Sequence, residues 1–296
     1  VSTVLFVALF VVVLTGVALA SRWLVTHSER LWNLAGRGLR RMAESGIVTR
    51  ARKRYPRVWR LFADRLSPQH YLGLHLTLGL AVSVSALMLF AAVADEIHDR
   101  EALALLDAAI LELLRVYEVR SMTRAFGLIS DAGSGIAILS LGLTGAAGLA
   151  FARRWSLLTG WLAAFLGAAF LNASLKALFQ RPRPAGAAEL LQSASWSFPS
   201  GHALTSLVGY GMVAYLAVLH VRSPALRTVI IVLAIVLVSA IGVSRLYLGV
   251  HYFTDVIGGY AAGAVWLSVC VSGLEIARRR TSRSSRRSLP TSIDGS

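Results

Sequence analysis

Seven stretches of the chain, roughly residues 1–20, 71–94, 126–151, 155–178, 202–220, 227–244 and 252–274, stay apolar for about as long as a bilayer-spanning helix requires. No other feature restricts the fold so much. Hydrocarbon offers no water to backbone N–H and C=O groups, so each stretch must satisfy its own by forming a helix. The composition agrees: 56% of the residues are hydrophobic and 15% charged, where a soluble domain carries roughly 25% charged residues. The expectation is an all-α integral membrane helical bundle. Its central spans are rich in Gly and Ala, which lets helices pack closely. The single cysteine, Cys270, falls in the last span, so no intrachain disulfide can form and the residue reads as a buried structural thiol.

Charge then orients the spans. The net charge is +15, with 30 Lys and Arg against 15 Asp and Glu. The excess sits in connections beside apolar spans, which favours an anionic membrane surface over nucleic acid as its partner. Residues 22–70 hold twelve Lys and Arg against Glu29, Glu44 and Asp64. Arg153 and Arg154 follow the third span, Arg222 and Arg227 flank the turn after the fifth, and "ARRRTSRSSRR" follows the seventh. By the positive-inside rule these four segments are cytoplasmic. Alternation puts 95–125, 179–201 and 245–251 outside. The first of these is acidic, with seven Asp and Glu against four Arg. The first span ends in Ala18-Leu19-Ala20, which resembles a signal-peptidase site, but it lacks a basic leading region. It is expected to be an uncleaved helix with its N-terminus outside.

Two connections have a helical apolar stripe. In residues 29–44 Leu31, Trp32, Leu34, Ala35, Leu39, Met42 and Ala43 oppose Arg30, Arg37, Arg40, Arg41 and Glu44, as in a helix lying on the inner leaflet. In "REALALLDAAILELLRVYEV" the stripe is Leu103, Leu106, Ile110, Leu113, Leu114 and Tyr117, with Leu111 off it, and implies a second surface helix outside.

Against this apolar background a few polar residues converge on the outer face. Lys176 ends the fourth span, followed by Arg181, Arg183 and Pro184; Pro199, Ser200, Gly201 and His202 open the fifth; Ser244 and Arg245 close the sixth; His251 and Asp255 open the seventh. Taken singly, each has an ordinary structural reading. A lysine or arginine at a span end snorkels to headgroups, and Arg181 is read that way. Ser200 is a helix N-cap, His202 an interfacial histidine, and His251 with Asp255, four residues on, a structural pair on one helix face. Together they suit one ligand, a phosphate. Arginine gives forked donors, lysine a point charge, and a helix start offers free N–H groups. Two histidines can divide a displacement, one attacking phosphorus and the other protonating the leaving oxygen, with an aspartate orienting the attacker. The sequence has no acidic cluster suited to Mg²⁺ and no Cys/His set suited to Zn²⁺, so neither metal nor cofactor is expected.

These residues resemble the type 2 phosphatidic acid phosphatase superfamily, which also includes the soluble vanadium haloperoxidases. That family carries a lysine, six residues, then Arg-Pro, here "KALFQRPRP" with Lys176, Arg183 and Pro184. Its second signature, Pro-Ser-Gly-His, is Pro199 to His202; its third is Ser244, Arg245, His251 and Asp255. The resemblance implies a six-helix phosphatase core at 70–275 plus one extra N-terminal transmembrane helix. Residues 1–69 then form that helix and a basic cytoplasmic amphipathic segment, and 276–296 a basic disordered cytoplasmic tail. It implies His251 as the nucleophile of a phosphohistidine intermediate, Asp255 as its orienting partner and His202 as acid and then base. Lys176, Arg183, Ser200, Gly201 and Arg245 become the phosphate cradle, while Pro184, Pro199 and Ser244 belong to the motifs without an assigned contact. The expected function is a metal-free lipid phosphatase at the outer face of the cytoplasmic membrane. Candidate substrates are an undecaprenyl pyrophosphate-like carrier, slightly favoured, phosphatidic acid, phosphatidylglycerol phosphate or diacylglycerol pyrophosphate. The rivals are a lipid phosphotransferase of the same chemistry and a non-catalytic lipid-headgroup binder or transporter. A vanadate-dependent peroxidase is disfavoured by the membrane setting.

Overall fold

The structure, a computed structural model, describes residues 71–99, 102–116, 119–185 and 195–287, with Ala187 and isolated positions between 15 and 23. Among the described residues there are eight helices and no strand. They are α1 (Tyr71–Asp99), α2 (Ala102–Val116), α3 (Arg120–Asp131), α4 (Gly135–Phe151), α5 (Trp155–Phe179), α6 (Gly201–His220), α7 (Pro224–Tyr247) and α8 (Phe253–Arg287). Six stretches are long and apolar enough to cross a membrane, with α3 and α4 counted as one interrupted crossing over Arg120–Phe151. Large apolar side chains such as Met88, Ile136, Phe151, Phe170 and Leu233 point outward. So much outward apolar surface suits lipid as the surrounding solvent.

Local chemistry sets the helix ends. Ser134 caps α4 by accepting from Ala137 N–H at 3.2 Å, and Ser223 caps α7 ahead of Pro224 at its first position. The α5 helix stops at Gln180, which takes a left-handed conformation (φ 43°). Pro182 and Pro184 then keep the chain from resuming a helix. The crossing that the sequence presents as one span from 126 breaks at Ala132 and Gly133. The freed Ala132 carbonyl accepts from Tyr210 Oη on α6 at 2.7 Å, so the break is stapled to a neighbouring helix.

The α8 helix is the central post, packed against α1, α5 and α6. A core of Trp161, Ala164, Ala168, Leu204, Val208, Met212 and Leu274 joins α5, α6 and α8. Lipid tails are as apolar as these side chains, so helices associate there by close packing more than by a hydrophobic force. The closest approach of a glycine to another segment's backbone, among the described residues, is at Gly259. A Cβ there would lie 2.6 Å from the Ser200 carbonyl oxygen and 2.9 Å from the Ala203 Cβ, and one on Gly263 would lie 3.0 Å from the Leu204 carbonyl oxygen. Two glycines one turn apart therefore let α8 press against the first turn of α6, where His202 stands.

Several expectations need correcting. The inward face of α2 is buried Asp107 with half-buried Leu103, Ile110, Leu111 and Leu114, whereas Leu106 and Leu113 are exposed. The inward face is thus rotated from the apolar stripe and centred on a carboxylate, for a reason that lies in the site. At the other end, α8 continues as helix to Arg287, past the start expected for a disordered tail at 276. The expected first span, its fate and the amphipathic segment at 29–44 lie outside the described residues. Cys270 is buried, as expected.

Replacing Gly259 with valine should force α6 and α8 apart, lowering the thermal midpoint of the purified protein and removing phosphatase activity. Gly148→Ala, where an added Cβ meets nothing within 4 Å, should leave both unchanged.

Candidate active site

Three connections and the helix ends beside them meet at one end of the bundle: α5 with residues 180–184, residues 195–200 with α6, and α7 with residues 248–252 and α8. The centre is Asp255, in the first turn of α8 and without exposed surface. Its Oδ1 accepts from Arg181 Nη1 at 2.6 Å. Its Oδ2 accepts from Tyr252 N–H at 2.9 Å, from the Ser197 hydroxyl, and from His251 Nδ1 at 3.3 Å. Its backbone carbonyl accepts from Ser200 N–H at 2.9 Å. One residue thus holds the α8 start, the α6 start and an imidazole in register.

That imidazole is buried, with 1% of its surface exposed. With Nδ1–H donated to Asp255, the Nε2 lone pair faces the opposite way, where Arg183 Nη1 stands at 3.3 Å. Burial pushes His251 down to about 4, and the hydrogen bond and charge of Asp255 offset only part of that. The ring is neutral at neutral pH, and its Nε2 lone pair accepts from the Arg183 guanidinium.

The cations around it are held by backbone. Arg183 donates from Nε to Ser195 O and from Nη1 to Val250 O, both at 2.8 Å, and from Nη2 to Ser195 Oγ. Lys176 Nζ donates to Trp196 O at 2.7 Å. Arg245, 5% exposed, donates from Nη1 to Ser130 Oγ at the end of α3, while its Nε has no partner. The Ser200 hydroxyl and Asn172 Oδ1 are also buried without a partner. Ser200 is the N-cap residue of α6 by backbone position, but its side chain makes no capping bond. Orphaned buried polar atoms are costly, so a group of them beside fixed cations marks where a polar ligand belongs. His202 lies within electrostatic reach of Arg245, His251, Lys176 and Arg183. Its ring packs against Gly133 at the α3–α4 break, where a Cβ would approach Cδ2 to 3.2 Å.

The structure therefore gathers Lys176, Arg183, Ser200, Gly201, His202, Arg245, His251 and Asp255. Ser244 is set apart, since its hydroxyl donates to Ile241 O in its own helix. Pro199 is fully buried behind a cis Phe198–Pro199 bond, and Pro184 is buried in the turn after Arg183. The reading of Arg181 as a headgroup-directed side chain is overturned. Its guanidinium bridges Asp255 and Asp107, donates to Thr254 Oγ1 at 2.7 Å and lies over the Tyr252 ring. Sequence reasoning also missed Asp107, Ser130, Asn172, Ser195, Ser197 and Thr254. Asp107 carried one signal: it shares a helix face with Leu103, Ile110 and Leu114.

An all-helical membrane bundle that closes a neutral histidine, a second histidine and three cations around unpartnered buried polar atoms is built to act on an anionic group. Similarity to known proteins gives that class its family. Residues 157–279 match the profile of the PAP2 superfamily. The chain is 33% identical over 184 residues to phosphatidylglycerophosphatase B of Bacillus subtilis (strain 168), a match covering 61% of this chain and 88% of that protein. The crystal structure of the first transmembrane PAP2-type phosphatidylglycerolphosphate phosphatase from Bacillus subtilis is 31% identical, with a TM-score of 0.61, covering 67% of this chain and 98% of that one. The chain belongs to the PAP2 superfamily, and it is a multi-pass membrane lipid phosphatase.

The depressed His251 sets a stability window. Folded, it stays neutral down to about pH 4; unfolded, it takes up a proton near 6.5. The unfolded state thus binds the extra proton between these values, so this contribution is complete above about pH 6.5 and lost as pH falls to about 4. The thermal midpoint should fall over that range, and less steeply in His251→Gln.

Proposed function

We propose that the chain hydrolyses a phosphomonoester of a membrane lipid through a phosphohistidine on His251, without metal, at the outer face of the cytoplasmic membrane. The observation carrying this reading is the His251 ring itself, tied to buried Asp255 at Nδ1 with its Nε2 lone pair turned to Arg183. In the first step the Nε2 lone pair bonds phosphorus as the P–O bond to the lipid breaks, and His202 gives its proton to the departing oxygen. In the second, His202 takes a proton from water, the hydroxide bonds phosphorus, and the P–N bond breaks to restore His251. Charge on the phosphoryl oxygens is met by Lys176, Arg183, Arg245, the Ser200 hydroxyl and the Gly201 N–H. This cationic donor set supports neutralisation without a metal. Asp255 keeps Nδ1 protonated and stabilises the imidazolium character that develops on attack.

The substrate that the relatives' own activity supports is phosphatidylglycerol phosphate. Support for hydrolysis over transfer comes from the same likeness. The outward orientation rests on the basic connections at 153–154 and 222–227, which lie at the opposite end from the site.

Purified protein given radiolabelled phosphatidylglycerol phosphate should release phosphate in the presence of EDTA. His251→Gln should lose turnover and form no phosphoenzyme; wild-type release from that variant would overturn the nucleophilic role. His202→Asn should slow hydrolysis by about 100-fold or more and accumulate an acid-labile, base-stable phosphoenzyme. Parallel assays with phosphatidic acid and undecaprenyl pyrophosphate decide the substrate. A cysteine at exposed Ala185 should react with an impermeant maleimide in intact cells, and one at Arg153 only after permeabilisation.

A further inference from the structure

Arg181 stands two residues before Arg183 but serves a different space. It lines a cavity of about 530 Å³ with Leu103, Asp107, Phe179, Tyr252 and Thr254, and none of the phosphate-facing residues borders it. From that side the guanidinium reaches through to the catalytic carboxylate. Nη1 donates to Asp255 Oδ1 at 2.6 Å, and Nη2 donates to Asp107 Oδ2 at 2.8 Å. Although burial opposes it, the charges and hydrogen bonds of Asp255 and Asp107 raise this guanidinium above its ordinary value.

Asp107 is 2% exposed, and its polar contacts point the same way. Its Oδ1 accepts from Thr254 N–H at 3.0 Å, at the first turn of α8, and its Oδ2 also accepts from the Thr254 hydroxyl. The carboxylate of one helix therefore caps the start of another, in the same turn as Asp255, and fixes the arginine between them. Charges alternate along the line: Asp107, Arg181, Asp255, and the positive character that His251 gains on attack. The outward side of α2 is exposed and mostly apolar, with Leu105 and Val116 at 74% and 69% and only Glu112 and Arg115 charged. The one buried charge of this helix thus makes its contacts on the catalytic pair. This explains why its inward face is centred on an acid.

We propose that Asp107 and Arg181 are positioning residues for the Asp255–His251 pair, so that α2 is a working part of the active site. The inference rests on the reading of His251 as nucleophile and Asp255 as its orienting partner. Without Arg181, Oδ1 of a fully buried carboxylate would lose its charged partner, favouring protonation or rotation of the group that orients His251. Without Asp107, Arg181 would keep its charge but lose its aim.

The test uses the full chain in detergent micelles, with kcat and KM taken per folded molecule for Asp107→Asn, Arg181→Lys, Asp255→Asn and the two double variants Asp107→Asn/Asp255→Asn and Arg181→Lys/Asp255→Asn. Asp107→Asn should lower kcat by about 10- to 100-fold, the range for loss of a partner behind a catalytic ligand, and leave KM within about 2-fold because the phosphate cradle is untouched. Acting through Asp255, it should cost less than about 2-fold more in the Asp255→Asn background, whereas a merely structural role multiplies the two losses. Arg181→Lys keeps the charge but loses the fork, so it should show the same split and the same non-additivity even if Asp107→Asn fails to fold. Wild-type kcat in Asp107→Asn and Arg181→Lys beside a slow Asp255→Asn would overturn this inference alone, as would multiplicative losses. Wild-type kcat in Asp255→Asn would overturn the underlying reading and this inference with it.

Discussion

A carboxylate with no exposed surface, at the end of a bundle built to sit in lipid, has to be matched by donors or lose its charge. Asp255 is matched on both oxygens, by a guanidinium, a hydroxyl, a backbone N–H and an imidazole. Removing a charge from water costs several kcal/mol even after relaxation, so such a group persists only where its partners are themselves fixed. They are fixed here by neighbouring elements. Arg181 is aimed by α2, Ser197 and Ser200 belong to the segment entering α6, and Tyr252 and His251 precede α8 in the chain. The Ser200 N–H bond to the Asp255 carbonyl then joins the turn that opens α6 at His202 to the turn that opens α8 beside His251. The site is therefore a product of how the α6–α8 crossing is closed, and that crossing is as tight as it is because Gly259 and Gly263 have no side chains.

The cations show a division of labour that residue type alone does not reveal. Arg183 and Lys176 spend donors on the carbonyls of Ser195, Trp196 and Val250, so they are held in place before any anion arrives. Preorganised donors need no reorientation when charge develops on a transferred group, which is how electrostatic stabilisation gains most of its effect. Arg245 and Ser200 are the complement, with buried polar atoms left open. Arg181, by contrast, is engaged with the protein's own groups, the carboxylates of Asp255 and Asp107 and the Thr254 hydroxyl.

Much of this is legible in the amino-acid sequence. Apolar length marks the crossings, and the spacing of Lys176, Arg183, His202, Arg245, His251 and Asp255 picks out side chains that the fold brings together. These are legible because bilayer thickness and anion chemistry are demands that a sequence must meet locally. What stays hidden depends on contacts between distant segments. Arg181 resembles any interfacial arginine until Asp107, 74 residues away, is seen beside it. Ser130 and Ser197 are unremarkable serines without the helix ends that meet them. In α2, counting apolar residues rotates the inward face, because the side turned inward is centred on one ion pair while Leu105, Leu106 and Leu113 stay exposed.

The interruption between α3 and α4 ties two parts of the chemistry together. Its last helical turn offers Ser130 to Arg245, Gly133 lies against the His202 ring, and the freed Ala132 carbonyl is held by Tyr210 from the same helix as His202. The His202 imidazole and the Arg245 guanidinium thus rest on a single mechanical mount. One short interruption, contributed by neither residue's own helix, therefore fixes the distance between two side chains that stand on separate helices.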